Sequence, residues 1–454
     1  NDMLTRKVTD SLLRWEASRG HKALFITGAR QVGKTTAIRA FAKKRYRSFA
    51  ELNFLQDPRA RDIFSGSLDA NTIVSNLTAF LRMPLEPGST LVLLDEIQEC
   101  PFARTAIKFL VEDGRFDYVE TGSLLGVRAR EVPSYPVGFE ERLRMHPLDF
   151  EEFCWASGVQ KETIETLRTH FDDRTPIPEA IHQTMLGLYY AYMVIGGMPE
   201  VVQRYVDTHD VAQAIRLQQD IIELYRQDIS KYADGADKIK ARQIFDAMPS
   251  QLDDKLRRFV LADLRKTARQ NRYESSFLWL ADAGVALPCY NVTLPVAPLQ
   301  ANEKRSLFKL FMGDVGLLCA ASMDDIQFDL LKGNLHVNLG SIMENVVAQE
   351  LDAHGFKLHY FNAKRYGEVD FVVQDRRDVI PIEVKSGNDW TSHPALDKLL
   401  KVSEWDLGHA YVLCKGNVRQ SGAITYLPLY MSMFLEPRSH PETLPYEVDL
   451  SALG

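Results

Sequence analysis

The stretch Gly28 to Thr36 reads GARQVGKTT, and it decides the fold class of the first part of the chain. It fits the P-loop pattern G-x-x-x-x-G-K-[ST], in which glycines let the backbone curl tightly and point N–H groups at phosphate oxygens. An apolar run, Ala23 to Thr27, precedes it, and a helix-forming segment, Thr35 to Lys43, follows it. A strand, a glycine loop and a helix N-terminus are the setting that phosphate binding requires. The stretch predicts a nucleotide site in an α/β fold; the alternative is a glycine turn that binds no nucleotide.

Two side chains of this loop have specific predicted roles. Lys34 is expected to reach the β- and γ-phosphates of ATP, and the Thr35 hydroxyl is expected to hold Mg²⁺. The remaining loop residues contribute backbone N–H groups around the phosphates. The residues predicted to bind the cofactor ATP are Gly28, Ala29, Arg30, Gln31, Val32, Gly33, Lys34, Thr35 and Thr36.

A second motif, Thr90 to Glu96 (TLVLLDE), is an apolar run that ends in two carboxylates. This is the Walker B form, in which Asp95 is predicted to bind Mg²⁺ directly or through water. Glu96 is predicted to orient and activate the attacking water. Apolar strands that end in Asp-Glu are common, but behind a P-loop this one predicts a hydrolysing site.

A third strand, Asp117 to Thr121, leads into Gly122 and Ser123. A polar side chain at the end of a strand beside Walker B can hydrogen-bond the γ-phosphate or the lytic water. Ser123 is the predicted residue for this catalytic role, with Thr121 as the second choice. The alternative is a plain Thr-Gly-Ser turn.

Four arginines beyond this strand are candidates for a role in assembly. Ring-forming ATPases insert an arginine from one subunit into the site of the next, where its charge stabilises the transition state. The candidates are Arg142 and Arg144, with Arg128 and Arg130 as others. For any one of them, a solvated charged position is the alternative.

Composition excludes several classes of protein. The chain has 454 residues, 45% apolar and 25% charged, with a net charge of −7. These values are typical of a globular protein of about three domains, in which nucleic acid contact requires a local basic patch. An uncharged, strongly apolar stretch, Met185 to Met198, is too short to span a bilayer and predicts a buried helix. Five scattered cysteines and the absence of a signal-like opening favour the cytoplasm and no membrane association.

The segment from Lys238 to Arg272 is the basic patch. It contains ten Lys/Arg and four Asp residues, a local net charge of +6. Such a run predicts phosphate contacts with DNA, although a charged run is more often a solvated helix face. The predicted contacts are Lys255, Arg257, Arg258, Arg265, Lys266, Arg269 and Arg272. The helices here and the β-like run Cys289 to Val296 resemble a winged helix.

The last third carries a pattern of acidic residues and a lysine. Asp370 ends the strand GEVD, and twelve residues separate it from Glu383 in the sequence PIEVKS. Glu383 and Lys385 are two apart, so in a strand both face the same side of the sheet. This is the PD-(D/E)xK nuclease pattern, in which Asp370 and Glu383 would share Mg²⁺ and Lys385 would stabilise the developing phosphorane charge. Glu344, on the predicted helix Ser341 to Leu351, is a further candidate metal ligand.

Taken together, GARQVGKTT, LVLLDEIQ, ETGSLLG, HPLDFEEF and GGMPEVV resemble a bacterial and archaeal AAA+ family. Its members join an AAA+-type ATPase to a C-terminal domain long catalogued as of unknown function. The resemblance implies a P-loop AAA+ core at 1–149, a helical lid at 150–237, a winged-helix-like basic middle at 238–325 and a PD-(D/E)xK nuclease-like α/β domain at 326–454.

These observations predict an ATP-hydrolysing DNA-processing protein that works with ATP and Mg²⁺. Its expected partner is DNA, double-stranded or branched, with junction DNA as the substrate suggested by the last domain. A homo-oligomer is expected, with a hexamer as the ring considered. One alternative is a regulatory ATP switch whose nuclease-like domain does not cleave and docks a partner. Another is a toxin-type nuclease gated by ATP.

Overall fold

The computed structural model describes residues 4–18, 22–122, 136–232, 235–252, 274–322, 326–332, 339–440 and 445–451. Several sequence predictions lie outside these ranges. They are those for Ser123, Arg128, Arg130, Lys255, Arg257, Arg258, Arg265, Lys266, Arg269 and Arg272.

A parallel sheet sandwiched between helices forms the amino-terminal domain. Its elements are α1 (Val8–Ala17), β1 (Ala23–Thr27), α2 (Lys34–Arg45), β2 (Ser48–Asn53), α3 (Ala70–Leu81), β3 (Thr90–Asp95), α4 (Pro101–Asp113), β4 (Asp117–Gly122) and β5 (Glu140–Arg144). The strand order is β2-β3-β4-β1-β5, and all pairs are parallel. Every residue of β1 and β3 is buried, as expected of strands covered on both faces. The carboxyl ends of β1, β3 and β4 therefore meet at one edge, where the P-loop begins.

Helices make up the next region of the chain. They are α5 (Phe150–Ala156), α6 (Lys161–Asp173), α7 (Glu179–Ile195), α8 (Pro199–Thr208) and α9 (Val211–Tyr232). The helix α7 contains most of the predicted buried stretch, and its residues from Tyr189 to Ile195 are all buried. They belong to one hydrophobic cluster that continues from β1 to the carboxy-terminal strands. Among the described helices, none is both long and apolar enough to cross a membrane.

The remaining described elements form two further sheets with their helices. They are α10 (Gly235–Leu252), α11 (Glu274–Asp282), β6 (Ala286–Val292), β7 (Glu303–Met312), α12 (Val315–Ser322), α13 (Ile326–Leu331), α14 (Gly340–Ala353), β8 (His359–Ala363), β9 (Gly367–Val369), β10 (Phe371–Asp375), β11 (Asp378–Val384), α15 (Pro394–Leu400), β12 (Ala410–Cys414), β13 (Arg419–Ser421) and β14 (Ile424–Pro428). The sheet orders are β7-β6-β8-β9 and β10-β11-β12-β14-β13.

The hairpin β6–β7 is part of a sheet that crosses a predicted domain boundary. β6 forms an antiparallel pair with β7 and a parallel pair with β8. A division at residue 325 therefore cuts through the sheet β7-β6-β8-β9. The strand β9 continues into β10 with Asp370 between them, so one extended segment links the two carboxy-terminal sheets.

Asp314 explains the Gly-Gly pair of the GGMPEVV motif. Its Oδ1 accepts a hydrogen bond from Gly197 N at 2.7 Å, and its Oδ2 accepts one from Leu317 N at 3.0 Å. A Cβ on Gly196 would overlap the Asp314 carboxylate, and its φ is +72°. Leu148 N in turn donates to Gly197 O at 2.7 Å, so the HPLDFEEF and GGMPEVV motifs contact each other directly. Burial raises the pKa of Asp314 to about 6.

Candidate functional site

The loop between β1 and α2 has the backbone that the glycine spacing predicts. Gly33 has a φ of +88°, and Gln31 has a φ of +70°. A Cβ on Gly28 would overlap the carbonyl oxygen of Met145, so only glycine fits where the loop leaves the sheet. Arg6 supports the loop from outside, because its Nη1 donates to Val32 O at 3.1 Å.

Lys34 lies inside the loop. Its Nζ donates to the carbonyl oxygens of Gly28 and Ala29, each at 3.0 Å. Burial lowers the pKa of Lys34, and the carboxylates of Glu96 and Asp95 oppose this effect. The ammonium group is thus held next to the backbone that would surround a β- or γ-phosphate.

Asp95 accepts hydrogen bonds from three side chains. Thr35 Oγ1 lies 3.1 Å from both carboxylate oxygens, Asn53 Nδ2 donates to Oδ2 at 2.9 Å, and Thr121 Oγ1 donates to Oδ1. Oxygen ligands of an octahedral Mg²⁺ lie at 2.0–2.1 Å from the ion, so neighbouring ligands are about 2.9 Å apart. The spacing of Thr35 Oγ1 and Asp95 therefore suits the ion that the sequence predicts. Asn53 was not predicted, although it ends β2 at the same sheet edge.

Glu96 has a backbone conformation that non-glycine residues rarely adopt. Its φ is +57°, and its N–H donates to Thr121 Oγ1 at 3.3 Å. Gln98 Nε2 donates to Glu96 Oε2 at 2.5 Å and fixes the carboxylate. Strained backbone of this kind persists where surrounding contacts hold it, often at active sites. Thr121 contacts both Asp95 and Glu96. The sequence predicted a polar side chain at this end of the strand, with Thr121 as the second choice after Ser123.

A cleft of about 590 Å³ adjoins the loop. This volume lies within the range of small-molecule sites. The cleft is bounded by the amino-terminal segment, by α2 and by α8. Its lining includes apolar Leu4, Leu13, Phe41 and Pro199 and polar Arg6, Gln31, Glu200 and Gln203. The contribution of α8 was not predicted, although the GGMPEVV motif at its start was part of the sequence resemblance.

Residues 274–285, called here the cover segment, lie over the P-loop. A Cβ on Gly284 would lie 3.0 Å from Ala29 N. A cavity of about 30 Å³ remains above Lys34 and Glu96, with Trp279 in its wall. On the loop itself, Arg30 Nη1 pairs with Asp228 Oδ1 of α9 at 2.5 Å.

The two described arginine candidates lie on the edge strand β5. Arg142 pairs with Glu140 at 3.3 Å and has a side chain that is 60% exposed. Arg144 pairs with Asp352 of α14 at 3.2 Å, which ties β5 to the carboxy-terminal domain. Arg142 is thus the more accessible of the two for a neighbouring subunit.

The carboxy-terminal acidic residues come together at the junction of β9 with β10. Asp370 follows β9 directly, and its Oδ2 accepts a hydrogen bond from Val384 N at 2.8 Å. Burial raises the pKa of Glu383 well above its ordinary value, and the neighbouring carboxylate of Asp370 raises it further. Lys385 Nζ lies 3.8 Å from Glu383 Oε2. The predicted Asp370, Glu383 and Lys385 therefore lie close to one another.

Lys309, which no sequence pattern predicted, lies beside these residues. The name acid cluster is used below for Lys309, Glu344, Glu368, Asp370, Glu383 and Lys385. Lys309 is fully buried in β7, and its Nζ lies 2.7 Å from Glu368 Oε1 and 3.4 Å from Glu344 Oε2. Its ammonium also lies 4.9 Å from the centre of the Tyr360 ring. The predicted ligand Glu344 is thus paired with a lysine. A single charge in the apolar run SLFKLFM was the available signal.

The amino-terminal domain combines a five-stranded parallel sheet with a P-loop after β1 and paired acidic residues after β3. This is the fold of a P-loop nucleoside triphosphatase. Residues 20–154 match the family described as AAA domain, so the domain has an AAA-type ATPase fold. Residues 186–327 and 339–431 match two domains of unknown function, DUF8612 and DUF4143. A search of the curated proteins found no match.

Several solved structures align with much of this chain. The Walker-type ATPase PABY2304 of Pyrococcus abyssi is 13% identical, with a TM-score of 0.42 over 70% of this chain and 96% of that one. The Aeropyrum pernix Orc1 protein, solved in complex with DNA, is 11% identical, with a TM-score of 0.29 over 73% and 92%. The Thermotoga maritima RuvB Holliday junction branch migration motor is 16% identical, with a TM-score of 0.30 over 62% and 89%. Likeness at this level assigns no activity.

Proposed function

We propose that this protein is a Mg²⁺-dependent ATPase that acts on DNA through its carboxy-terminal domain. The observation that carries the ATPase part is the meeting of Lys34, Thr35, Asp95, Glu96 and Thr121 at one edge of a parallel sheet. These residues come from three separate strands or their following loops. A structural role alone does not account for two acidic residues facing a buried lysine there.

Each of these residues has a separate role in the proposed hydrolysis. Lys34 and the loop N–H groups match the negative charge of the β- and γ-phosphates. Thr35 and Asp95 would hold Mg²⁺, which supplies further positive charge when bound. Glu96, fixed by Gln98, orients the attacking water and accepts its proton. Thr121 fixes the positions of the Asp95 carboxylate and the Glu96 backbone through hydrogen bonds.

The cleft beside the loop suits the nucleoside part of ATP. Its apolar lining offers a surface for the base, and its polar residues offer hydrogen-bond partners. Gly33 of the loop lines this cleft, and a Cβ on it would lie 3.5 Å from Pro199 Cγ. A nucleotide in this position would contact both the core domain and α8.

The carboxy-terminal topology supports a nuclease-like domain. The helix α14 is followed by β8, the continuous β9–β10 segment, β11, α15 and β12, with β11 antiparallel to β10 and parallel to β12. Asp370, between β9 and β10, lies opposite Glu383 of β11, and Lys385 follows the end of β11. This arrangement supports DNA as the partner, with branched DNA as the substrate class proposed.

The test combines ATP hydrolysis and DNA cleavage in one set of proteins. Purified protein is incubated with forked, four-way and linear DNA, with ATP and Mg²⁺. We expect DNA to bind and to accelerate hydrolysis, and we expect Asp370→Asn to lose any cleavage. Asp378→Asn, an exposed position at the start of β11, is the matched control and should behave as wild type. Neither binding nor stimulation on any DNA would refute the DNA part while leaving the ATPase part standing.

One observation favours a second function, a regulatory ATP switch with a non-cleaving carboxy-terminal domain. The buried ammonium of Lys309 supplies a fixed positive charge between Glu344 and Glu368, where a nuclease would use metal ions. This alternative predicts slow ATP turnover that DNA does not change. It also predicts that Asp370→Ala alters nothing measurable on nucleic acids.

In either function, the cover segment would couple ATP to the middle of the chain. Trp279, Ala283 and Val285 of the cover segment line the same cavity as Lys34 and Glu96, so a bound triphosphate would lie beside the cover segment. Trp279 is therefore a built-in reporter of nucleotide binding. We expect ATP to change tryptophan emission in wild type and not in Trp279→Phe. An equal change in both proteins would contradict this placement of the cover segment beside the nucleotide.

A further inference from the structure

Three side chains from distant parts of the chain meet where the ATPase region contacts the carboxy-terminal domain. They are Asp149, the N-cap residue of α5, Glu350 on α14, and His354, the C-cap residue of α14. One ligand atom from each lies within 4.8 Å of the other two. Among the described residues, this is the one group of three or more such side chains with that spacing. It is separate from the P-loop site and from the acid cluster around Lys309.

The hydrogen bonding of His354 directs a lone pair into this group. Its Nδ1 lies 2.7 Å from the carbonyl oxygen of Leu435. A carbonyl oxygen only accepts, so Nδ1 carries a hydrogen and Nε2 of the neutral ring is left as an acceptor. Metal-bound histidines are oriented in this way in proteins.

Two buried atoms point at each other without a hydrogen-bond partner among the described residues. They are His354 Nε2 and Glu350 Oε2, which lie 3.5 Å apart. Glu350 is fully buried, and its other oxygen accepts from Phe150 N at 2.8 Å. A buried carboxylate oxygen and an imidazole nitrogen at this distance need a proton or a metal ion between them, and a metal ion that binds here takes the place of the proton.

The spacing of the three donor atoms suits a small metal ion. His354 Nε2 lies 3.4 Å from Asp149 Oδ2 and 3.5 Å from Glu350 Oε2. Tetrahedral Zn²⁺ has ligands at about 2.0–2.2 Å, which places neighbouring ligands about 3.4 Å apart. An imidazole ligand favours Zn²⁺ over Mg²⁺ or Ca²⁺, which prefer oxygen donors.

We propose that Asp149, Glu350 and His354 bind one Zn²⁺ ion that joins the ATPase region to the carboxy-terminal domain. Lys7 lies 2.6 Å from both Asp149 and Glu151. It remains paired with Glu151 when Asp149 binds the ion.

The position of this ion links the two functional regions. Asp149 follows β5 and the residue Met145, which contacts Gly28 of the P-loop. Glu350 and His354 share α14 with Glu344 of the acid cluster. An ion held between them fixes α14 to the core, so its removal loosens the contact through which the two regions meet.

The test measures zinc in the full-length, untagged chain. The protein is stripped with a chelator, incubated with Zn²⁺ in excess Mg²⁺ and desalted, and zinc per chain is measured by mass spectrometry. We expect one zinc per wild-type chain. Glu350→Gln and His354→Gln should each weaken binding by more than about 100-fold, since loss of an outer partner alone costs 10–100-fold. Glu165→Gln, on α6 and with a side chain that is 69% exposed, is the matched control and should retain the ion.

Two further measurements do not depend on the variants folding. Co²⁺ added to the stripped wild type should give the visible absorption of a four-coordinate site, and Zn²⁺ should raise its unfolding temperature by a few degrees. Asp370→Asn should retain zinc, because the acid cluster is a different site. The proposal is overturned if wild type retains less than about 0.1 zinc per chain. It is equally overturned if Asp370→Asn loses the ion or if Glu350→Gln keeps it.

Discussion

Replacing Thr121 by valine removes one hydroxyl from the centre of the hydrolysis site and keeps the shape of the side chain. Thr121 is fully buried, and its Oγ1 donates to Asp95 Oδ1 and accepts from Glu96 N. A hydrogen bond to a charged group contributes about 1.5–3 kcal/mol. If that contribution is realised in the transition state, kcat for ATP falls roughly 10- to 150-fold, at 1.36 kcal/mol per tenfold.

The assay is steady-state ATP hydrolysis, with nucleotide binding measured separately by a fluorescent ATP analogue. Thr121→Val should lower kcat and leave nucleotide affinity within a few-fold, because Lys34 and the loop are untouched. Thr121→Ser keeps the hydroxyl and should recover most of the rate. A folded Thr121→Val protein with wild-type kcat would refute a catalytic role for Thr121 and would favour Ser123 for that role.

Three further changes test other parts of the structure. Lys34→Ala should abolish ATP hydrolysis and weaken nucleotide binding, since the phosphate charge is no longer matched; retained turnover would refute the P-loop assignment. Glu96→Gln should bind ATP but lower kcat by at least about 100-fold, whereas Glu99→Gln, whose carboxylate pairs with Arg61, should turn over normally. Burial raises the pKa of Asp314 from 3.8 to about 6, so the folded state binds its proton more tightly and loses stability as pH rises between those values. The difference corresponds to roughly 3 kcal/mol, so the unfolding free energy of Asp314→Asn relative to wild type should rise by up to that amount between pH 4 and pH 7, and equal pH profiles would contradict it.

Several features of the nucleotide site could be read from short stretches of sequence. The loop, the carboxylates of Asp95 and Glu96 and the flanking strand and helix are local patterns, and the structure places each where its pattern predicts. Asn53 and Arg6 could not be found in this way. Each contacts the site from an element whose own sequence carries no phosphate-binding pattern.

The acid cluster likewise contains residues that a local sequence pattern predicts and residues that it does not. The spacing of Asp370, Glu383 and Lys385 was sufficient to predict that they would meet, since they lie on consecutive strands joined by a turn. The role of Glu344 as a metal ligand stays a prediction. In the structure its carboxylate is paired with Lys309. A lysine from a strand of the preceding region reaches this cluster only because β6 and β8 join in one sheet.

The sequence by itself determined the parallel-sheet core, the P-loop with its paired carboxylates and the acidic pattern of the last third. The first two depend on apolar runs and a glycine loop, and the third on the period-two spacing of a strand; all of these express the local geometry of the backbone. Only the tertiary structure decided that Thr121 bridges Asp95 and Glu96, that the cover segment closes over Lys34 and that Asp149 meets Glu350 and His354. Those contacts join residues up to about 250 positions apart, and their formation depends on how whole elements pack, which no local pattern encodes.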